Sequence, residues 1–208
     1  MKGLLIKDWY MALRYCRMYA LVCIVFLVVA VIGEDSTSFA FFPCLLCSMI
    51  PVTLLAYDER SGWTEFSKAM PYTAGQIVSA KYLTGLIPTM IVTLITAIEQ
   101  AVYLNIRGEF ELSGYMVFIM VGFILSLLPC ALIMPFVFRL GVENGRIAYY
   151  AMIILVCGGM VALPNIIESV GIFSDNAAVI CGIAVLLVVG LYALSWRISI
   201  SMYKKHTA

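Results

Sequence analysis

Charged residues are scarce in this sequence: Asp, Glu, Lys and Arg make up 12% of the 208 residues, about half the share found in soluble domains. Hydrophobic residues make up 63%, and the mean hydropathy is +1.03. This composition excludes a soluble globular domain and predicts an integral membrane protein. The net charge is only +1, so we expect no nucleic-acid partner.

Catalytic motifs are also missing from the sequence. The single histidine, His206, lies in a basic tail, so neither a metal-binding histidine pair nor a Ser-His arrangement can form. Neither G-x-x-x-x-G-K-[ST] nor G-x-S-x-G occurs. We therefore expect that the chain is not an enzyme and holds no cofactor or metal, and that a partner must bind any ATP and Mg²⁺. The missing nucleophile and base make a membrane protease the weakest alternative.

Repeats, low-complexity linkers and outer cysteine pairs are absent as well. All seven cysteines lie in or beside predicted helices, so we expect free thiols. Cys44 and Cys47 form a C-x-x-C within an apolar helix that has no second pair, which favours packing over a metal or redox role. We predict a single transmembrane domain over residues 1–208.

The sequence does contain long apolar runs, separated by short charged stretches. A helix needs about 20 apolar residues to cross the hydrocarbon core, and these runs lack the alternation of barrel strands. The predicted fold class is therefore all-α, a polytopic membrane protein. Its six predicted spans are residues 18–33, 39–57, 82–104, 112–138, 147–163 and 177–196.

The basic residues predict the orientation of the spans. With both termini in the cytoplasm, every Lys and Arg except Arg107 falls on the cytoplasmic side, as the positive-inside rule requires. The predicted outer loops hold acidic residues instead: Glu34, Asp35, Glu109, Glu111, Glu168 and Asp175.

Residues 1–17 are predicted to form an amphipathic helix lying in the inner membrane interface. Lys7 and Arg14 lie on one side of this helix. The other side is apolar and consists of Leu5, Trp9, Ala12, Leu13 and Cys16. A plain extension of the first span is an equal alternative for residues 14–19, but the charges before them disfavour it for the first ten residues.

Residues 57–82 form the longest polar stretch, predicted to lie in the cytoplasm between the second and third spans. A short helix is predicted here, capped by Ser61 and ended by Pro71. Its apolar positions, Trp63, Phe66 and Met70, recur at helical spacing. Two interpretations of its aromatic residues stay open, namely anchors in the membrane interface and a docking surface for a cytoplasmic partner.

Thr73 and Gln76 have the spacing of a capping box, so the third membrane helix is predicted to begin near Ala74. The short polar helix is then held tightly between two spans. A merely flexible connector would need neither the proline nor the cap.

The run YDERSGW at 57–63, followed by Pro71, QIV at 76–78 and AKY at 80–82, resembles the first cytoplasmic loop of type 2 ABC transporter permeases. The similarity is to the group that includes the phenol-soluble modulin exporter permease. The six-helix layout and the amphipathic start are similar too.

This resemblance implies that residues 58–81 form a coupling loop whose helix seats in a groove of a separate ABC ATPase. The implied ATPase contacts are Asp58, Glu59, Arg60, Trp63, Phe66 and Lys68. Glu143 and Arg146 would be a second, smaller contact, for which a simple charged turn is an open alternative. It further implies ATP and Mg²⁺ bound by that ATPase, a second permease copy in a homodimer or pseudo-dimer, and export of amphipathic peptides through the bacterial cytoplasmic membrane. Residues 164–176 resemble the outer gate of such permeases.

Glu99, beside Gln100, is the one acidic residue well inside a predicted span. A carboxylate there should face protein or a water-filled pathway, so both residues are candidates for the translocation path. No second membrane carboxylate or histidine accompanies Glu99, which weakens proton-coupled transport. The alternative to an ABC permease is a stand-alone secondary transporter, or a membrane scaffold without an ATPase.

Overall fold

The computed structural model describes residues 2–32, 39–108, 110–142, 144–145, 147, 150–154 and 177–207. All the secondary structure in these ranges is helical. The eight main helices are α1 (Lys2–Tyr15), α2 (Arg17–Ile32), α3 (Phe42–Cys47), α4 (Ile50–Arg60), α5 (Trp63–Lys68), α6 (Ala74–Arg107), α7 (Leu112–Leu140) and α8 (Ala177–Thr207).

Within these ranges, four helical stretches are long and apolar enough to cross a membrane: Phe42–Arg60, Ala74–Arg107, Leu112–Arg139 and Val179–Lys204. Helices α1 and α2 meet at a bend of 59° and make a fifth span if they are counted together. An all-helical, multi-pass membrane protein is thus confirmed, with four or five spans. The span predicted at 147–163 falls mostly outside the described residues, of which 150–154 are helical.

The bend of 59° between α1 and α2 separates the first fifteen residues from the helix that follows. This geometry agrees with a distinct N-terminal helix, although Asp8 on that helix is buried rather than solvated. Its position in the membrane interface stays a prediction.

Helix α6 begins with the predicted capping box. Thr73 Oγ1 accepts from the backbone N–H of Gln76, and Gln76 Oε1 accepts from the backbone N–H of Thr73. These two bonds satisfy amide groups that the first turn of a helix leaves free, so they fix where α6 starts. The prediction of a helix beginning near Ala74 is confirmed.

Helix α6 packs closely against α4 and α7 because a glycine lies at the contact. A Cβ atom on Gly85 would lie 3.1 Å from Pro51 Cγ and 3.4 Å from Cys130 Sγ. Small residues allow membrane helices to approach in this way, and close approach supplies the van der Waals contact that holds them together.

A hydrogen-bonded chain joins α6, α7 and α8. Ser195 Oγ donates its hydrogen to the Ala131 carbonyl at 2.5 Å. Tyr82 OH lies 2.7 Å from Ser195 Oγ and therefore donates to the serine oxygen. Ser199 Oγ, 2.7 Å away on the next turn of α8, is then left to donate to Tyr82 OH. Tyr192 OH donates to the backbone carbonyl of Tyr82 at 2.8 Å. Every polar hydrogen in this contact therefore has an acceptor.

Replacing Tyr82 with Phe is expected to lower the free energy of unfolding by about 1–3 kcal/mol, because buried serine hydroxyls lose their partner. Unfolding in mixed detergent and dodecyl sulfate micelles would measure the loss. Tyr10→Phe is the matched control, since Tyr10 is 70% exposed and should tolerate the change. Equal stability of the Tyr82 and Tyr10 variants would contradict the hydrogen-bonded chain.

Most basic residues collect at one end of the bundle, where α4 ends, α6 begins and α7 and α8 end. Contacts across this end include Glu59 with the backbone of Val142, and Phe138 with Tyr203 at 5.9 Å between ring centroids. We call it the basic end. Arg107 lies at the opposite end of α6. This segregation agrees with the predicted topology, while the side of the membrane on which the basic end lies stays a prediction.

Candidate functional site

The turn between α4 and α5 depends on a glycine. Gly62 precedes α5 with a φ of 68°, a left-handed conformation that strains any residue with a Cβ atom. Ser61 does not cap α5, so that prediction is wrong: its Oγ donates back to the Asp58 carbonyl at 3.1 Å and closes the end of α4. The chain therefore turns after Arg60, and α5 begins at Trp63 with only Ser61 and Gly62 between the two helices.

Four charged side chains meet beneath this turn. Lys7 Nζ lies 2.7 Å from Asp58 Oδ1 and 3.3 Å from Asp8 Oδ1. Lys81 Nζ lies 2.7 Å from Asp8 Oδ1 and 2.5 Å from Asp58 Oδ2. We call Lys7, Asp8, Asp58 and Lys81 the ion-pair cluster. It contains two positive and two negative groups, so its charge is balanced.

The ion-pair cluster is buried. The exposed fraction of the side chain is 1% for Asp8, 4% for Lys81 and 6% for Asp58, while Lys7 closes the outer side at 26%. Charges taken from water at this depth are costly unless each has an opposite charge in contact. The cluster therefore holds α1, the end of α4 and the start of α6 in one arrangement.

The burial of Asp58 differs from its expected role as a contact for an ATPase. The resemblance implied a side chain available to a partner, whereas here both carboxylate oxygens of Asp58 face lysines of its own chain. Lys7 and Asp8 were not predicted as site residues, and Lys81 was predicted only as the end of the coupling loop at residues 58–81. Charges in otherwise apolar helical segments are a signal for pairing, but the sequence alone does not reveal the partners.

Lys7 also contacts α5. Its Nζ lies 4.0 Å from the centroid of the Trp63 ring, within the range of a cation–π interaction. Through Lys7, the ion-pair cluster is continuous with the aromatic side of α5.

Helix α5 presents aromatic surface outward. The Trp63 and Phe66 ring centroids lie 5.7 Å apart, and Phe66 is 56% exposed. Glu59, Arg60 and Glu65 are exposed as well. The structure thus brings the aromatic pair together beside a charged edge, and the side chain of Lys68 lies outside the described residues.

Glu59 connects this region to the loop after α7. Its Oε2 accepts from the backbone N–H of Val142 at 3.4 Å. The predicted second contact residues, Glu143 and Arg146, lie outside the described residues. Gly145 between them packs on α7, where an added Cβ would lie 2.3 Å from Val137 Cγ2.

Glu99 and Gln100 are not part of this region. They lie on α6 about 27 Å along the helix from Lys81, at a rise of 1.5 Å per residue. Gln100 is 3% exposed, and the carboxylate oxygens of Glu99 have neither solvent contact nor a hydrogen-bond partner among the described residues. The structure therefore presents two separate polar sites on one helix.

The cysteines of the C-x-x-C pack against neighbouring helices. Cys44 Sγ lies 3.8 Å from Thr96 Oγ1 on α6. Cys47, at the end of α3, packs with Cys16, Cys23 and Leu54. This cluster connects α3 to α2 and α4. In the part of the chain that is described, no three His, Cys, Asp or Glu side chains are placed to hold a metal ion.

A comparison with protein families gives a match that covers nearly the whole chain. The model of the ABC-2 family transporter protein matches residues 3–204. No match is found among the curated proteins or among the solved structures.

Proposed function

Since this chain belongs to the ABC-2 family of transporter proteins, we propose that it is the permease subunit of an ATP-driven exporter. Membership makes it a membrane component of an ABC transporter, a class in which a separate subunit hydrolyses ATP and the permease works as a dimer. The proposal adds that α5 is the coupling helix. It also places the basic end in the cytoplasm and assigns the protein to a bacterial cytoplasmic membrane.

The aromatic pair on α5, with half-buried Trp63 and exposed Phe66, is the observation that carries this proposal. Phe66 is 56% exposed on a short helix in a polar segment, beside Trp63 and next to the buried ion-pair cluster. Aromatic anchors of this kind dominate the energy of protein interfaces when a partner buries them. Glu59 and Arg60 would lie at the charged rim of that interface, together with Lys68, Glu143 and Arg146.

The contacts behind α5 suggest how its movement reaches the membrane. Closure of the two ATPases would displace α5, and Lys7 and Asp58 tie that region to α1 and α6. Packed elements joined by buried ion pairs move as one body rather than deforming continuously. The membrane helices would then switch access from one side of the bilayer to the other.

The transported molecule is proposed to be an amphipathic peptide or a molecule of similar character, moved outward. Membrane lipid would contact the apolar groove between α1, α2 and α6, whose volume is about 430 Å³ and whose lining includes Trp9, Leu13 and Ile91. A pair of identical permeases is the simplest assembly, since a C₂ dimer needs one chain only.

Replacing Trp63 and Phe66 together with Ala is expected to weaken the binding of the ATPase about thirtyfold, because truncating an aromatic anchor commonly costs about 2 kcal/mol. Membrane insertion should be normal, since it depends on the spans and their basic flanks. Co-purification with candidate ABC ATPases from the same organism, and the affinity for the one that binds the wild-type chain, are the tests.

Two variants make this experiment specific. Phe66→Ala alone should weaken binding without disturbing Lys7, which contacts the Trp63 ring. Tyr10→Ala is the matched control, because Tyr10 is an exposed aromatic on α1. Unchanged ATPase binding by the double variant would overturn the role of α5 as a coupling helix. If no ATPase binds even the wild-type chain, a stand-alone secondary transporter or a scaffold becomes the better interpretation.

A further inference from the structure

Glu99 is an acid without a counter-charge. Both its carboxylate oxygens, and Oε1 of the neighbouring Gln100, are shielded from solvent and have no hydrogen-bond partner among the described residues. An unpaired charge in apolar surroundings costs several times more than a neutral polar group, and acids within membrane spans are found paired or facing a cavity. This pair of side chains therefore lacks the group that it would bind.

No basic side chain that the structure describes is hydrogen-bonded to Glu99. Arg107, the basic residue at the same end of α6, is roughly 12 Å further along the helix at 1.5 Å per residue. Its guanidinium lies 4.7 Å from the centroid of the Tyr103 ring. Arg146, together with the side chains of Lys68, Lys205 and His206, lies outside the described part of the chain.

A buried polar stripe runs along α6 and ends at Gln100, next to Glu99 in sequence. Thr89, Thr93, Thr96 and Gln100 recur at intervals of four, three and four residues, which places them on one face of the helix, and their exposed fractions range from 1% to 7%. Each threonine hydroxyl donates to a carbonyl of its own helix, so its oxygen can still accept a hydrogen bond. Thr96 Oγ1 lies 3.8 Å from Cys44 Sγ, so part of this face lies in the contact between α6 and α3.

We propose that Glu99, with Gln100 beside it, binds a cationic group of the transported molecule, an amine or a guanidinium. The substrates of this permease are then amphipathic cations, an inference that rests on the proposed transport function. The carboxylate supplies the charge that pairs with the cation.

The test compares two peptides on the full chain in nanodiscs of zwitterionic phosphatidylcholine. One probe is a fluorescent amphipathic helical peptide of Leu and Lys, and the other is its counterpart with every Lys replaced by Gln. The wild-type chain is expected to prefer the Lys peptide by about tenfold, the ratio that corresponds to 1.4 kcal/mol. Glu99→Gln should remove this preference and leave the affinity for the Gln peptide unchanged.

Glu111→Gln is the control, because Glu111 is an exposed acid near the same end of the bundle that accepts a hydrogen bond from Ser113 Oγ. It should keep the preference. Glu99→Gln should also melt at the wild-type temperature or above it, since an unpaired acid has been removed. A preference that survives in Glu99→Gln would overturn the proposal.

Two further outcomes would also overturn it. If Glu99→Gln melts at a lower temperature while binding the peptides as wild type does, Glu99 pairs within the protein. If Na⁺ or Ca²⁺ raises the melting temperature of the wild-type chain but not of Glu99→Gln, and the two peptides bind alike, the site takes an inorganic cation. Because no ATPase is present in this binding assay, failure of the coupling proposal is detected separately, by loss of ATPase binding.

Discussion

Replacing Lys81 with Met is expected to destabilise the protein by about 3–5 kcal/mol, the usual cost of removing one partner from a buried ion pair. Lys81 is 3% exposed and contacts both Asp8 and Asp58. Without it, two buried carboxylates face each other with Lys7 as their remaining counter-charge. Methionine preserves most of the length of the side chain, so the loss reports the charge rather than a cavity.

The loss would be measured as the free energy of unfolding in mixed micelles, and as the fraction of monodisperse protein recovered after extraction from membranes. Lys2→Met is the matched control, because Lys2 is an exposed lysine on α1. We expect it to change stability by less than about 0.5 kcal/mol, as surface substitutions usually do. If the Lys81 and Lys2 variants are equally stable, the ion-pair cluster does not hold the helices together.

Local patterns in the sequence predicted the beginning of α6 correctly. The capping box of Thr73 and Gln76 involves residues three apart, so its geometry depends on nothing distant. Hydropathy predicted the helical, multi-pass class for the same reason, because each span is a continuous run. Features set by neighbouring residues can be predicted from a single sequence.

The ion-pair cluster could not be predicted in this way. Asp8 and Lys81 are separated by 73 positions, and their contact depends on how three helices pack. The positive-inside rule, which predicted the topology, treats every lysine near the end of a span as solvated. Lys81 lies near the end of its span but is buried. The error at Ser61 has a different cause: a serine before an apolar helical segment favours a cap, but Gly62 alone can adopt the left-handed conformation that this turn requires.

Removing a positive and a negative charge from the cluster together should restore much of the lost stability. In Lys81→Met with Asp8→Asn, the remaining Lys7 and Asp58 still form a pair at 2.7 Å. Buried pairs replaced by neutral groups of similar size are often neutral in stability. We therefore expect the double variant to recover about 2–3 kcal/mol of the cost of Lys81→Met, and a double-mutant cycle to give a coupling energy of about that size.

Transport should not recover with stability in this double variant. In this variant no ion pair connects α6 to α1. A movement of α5 would still be transmitted to α1 through Lys7 and Asp58. It would be transmitted to α6 only through packing contacts. We expect normal ATPase binding, because Trp63 and Phe66 are unchanged, together with a loss of substrate-stimulated ATP hydrolysis in proteoliposomes. Full transport by a stable double variant would show that the cluster only stabilises the fold. Additive costs of the two substitutions would show that Lys81 and Asp8 do not interact.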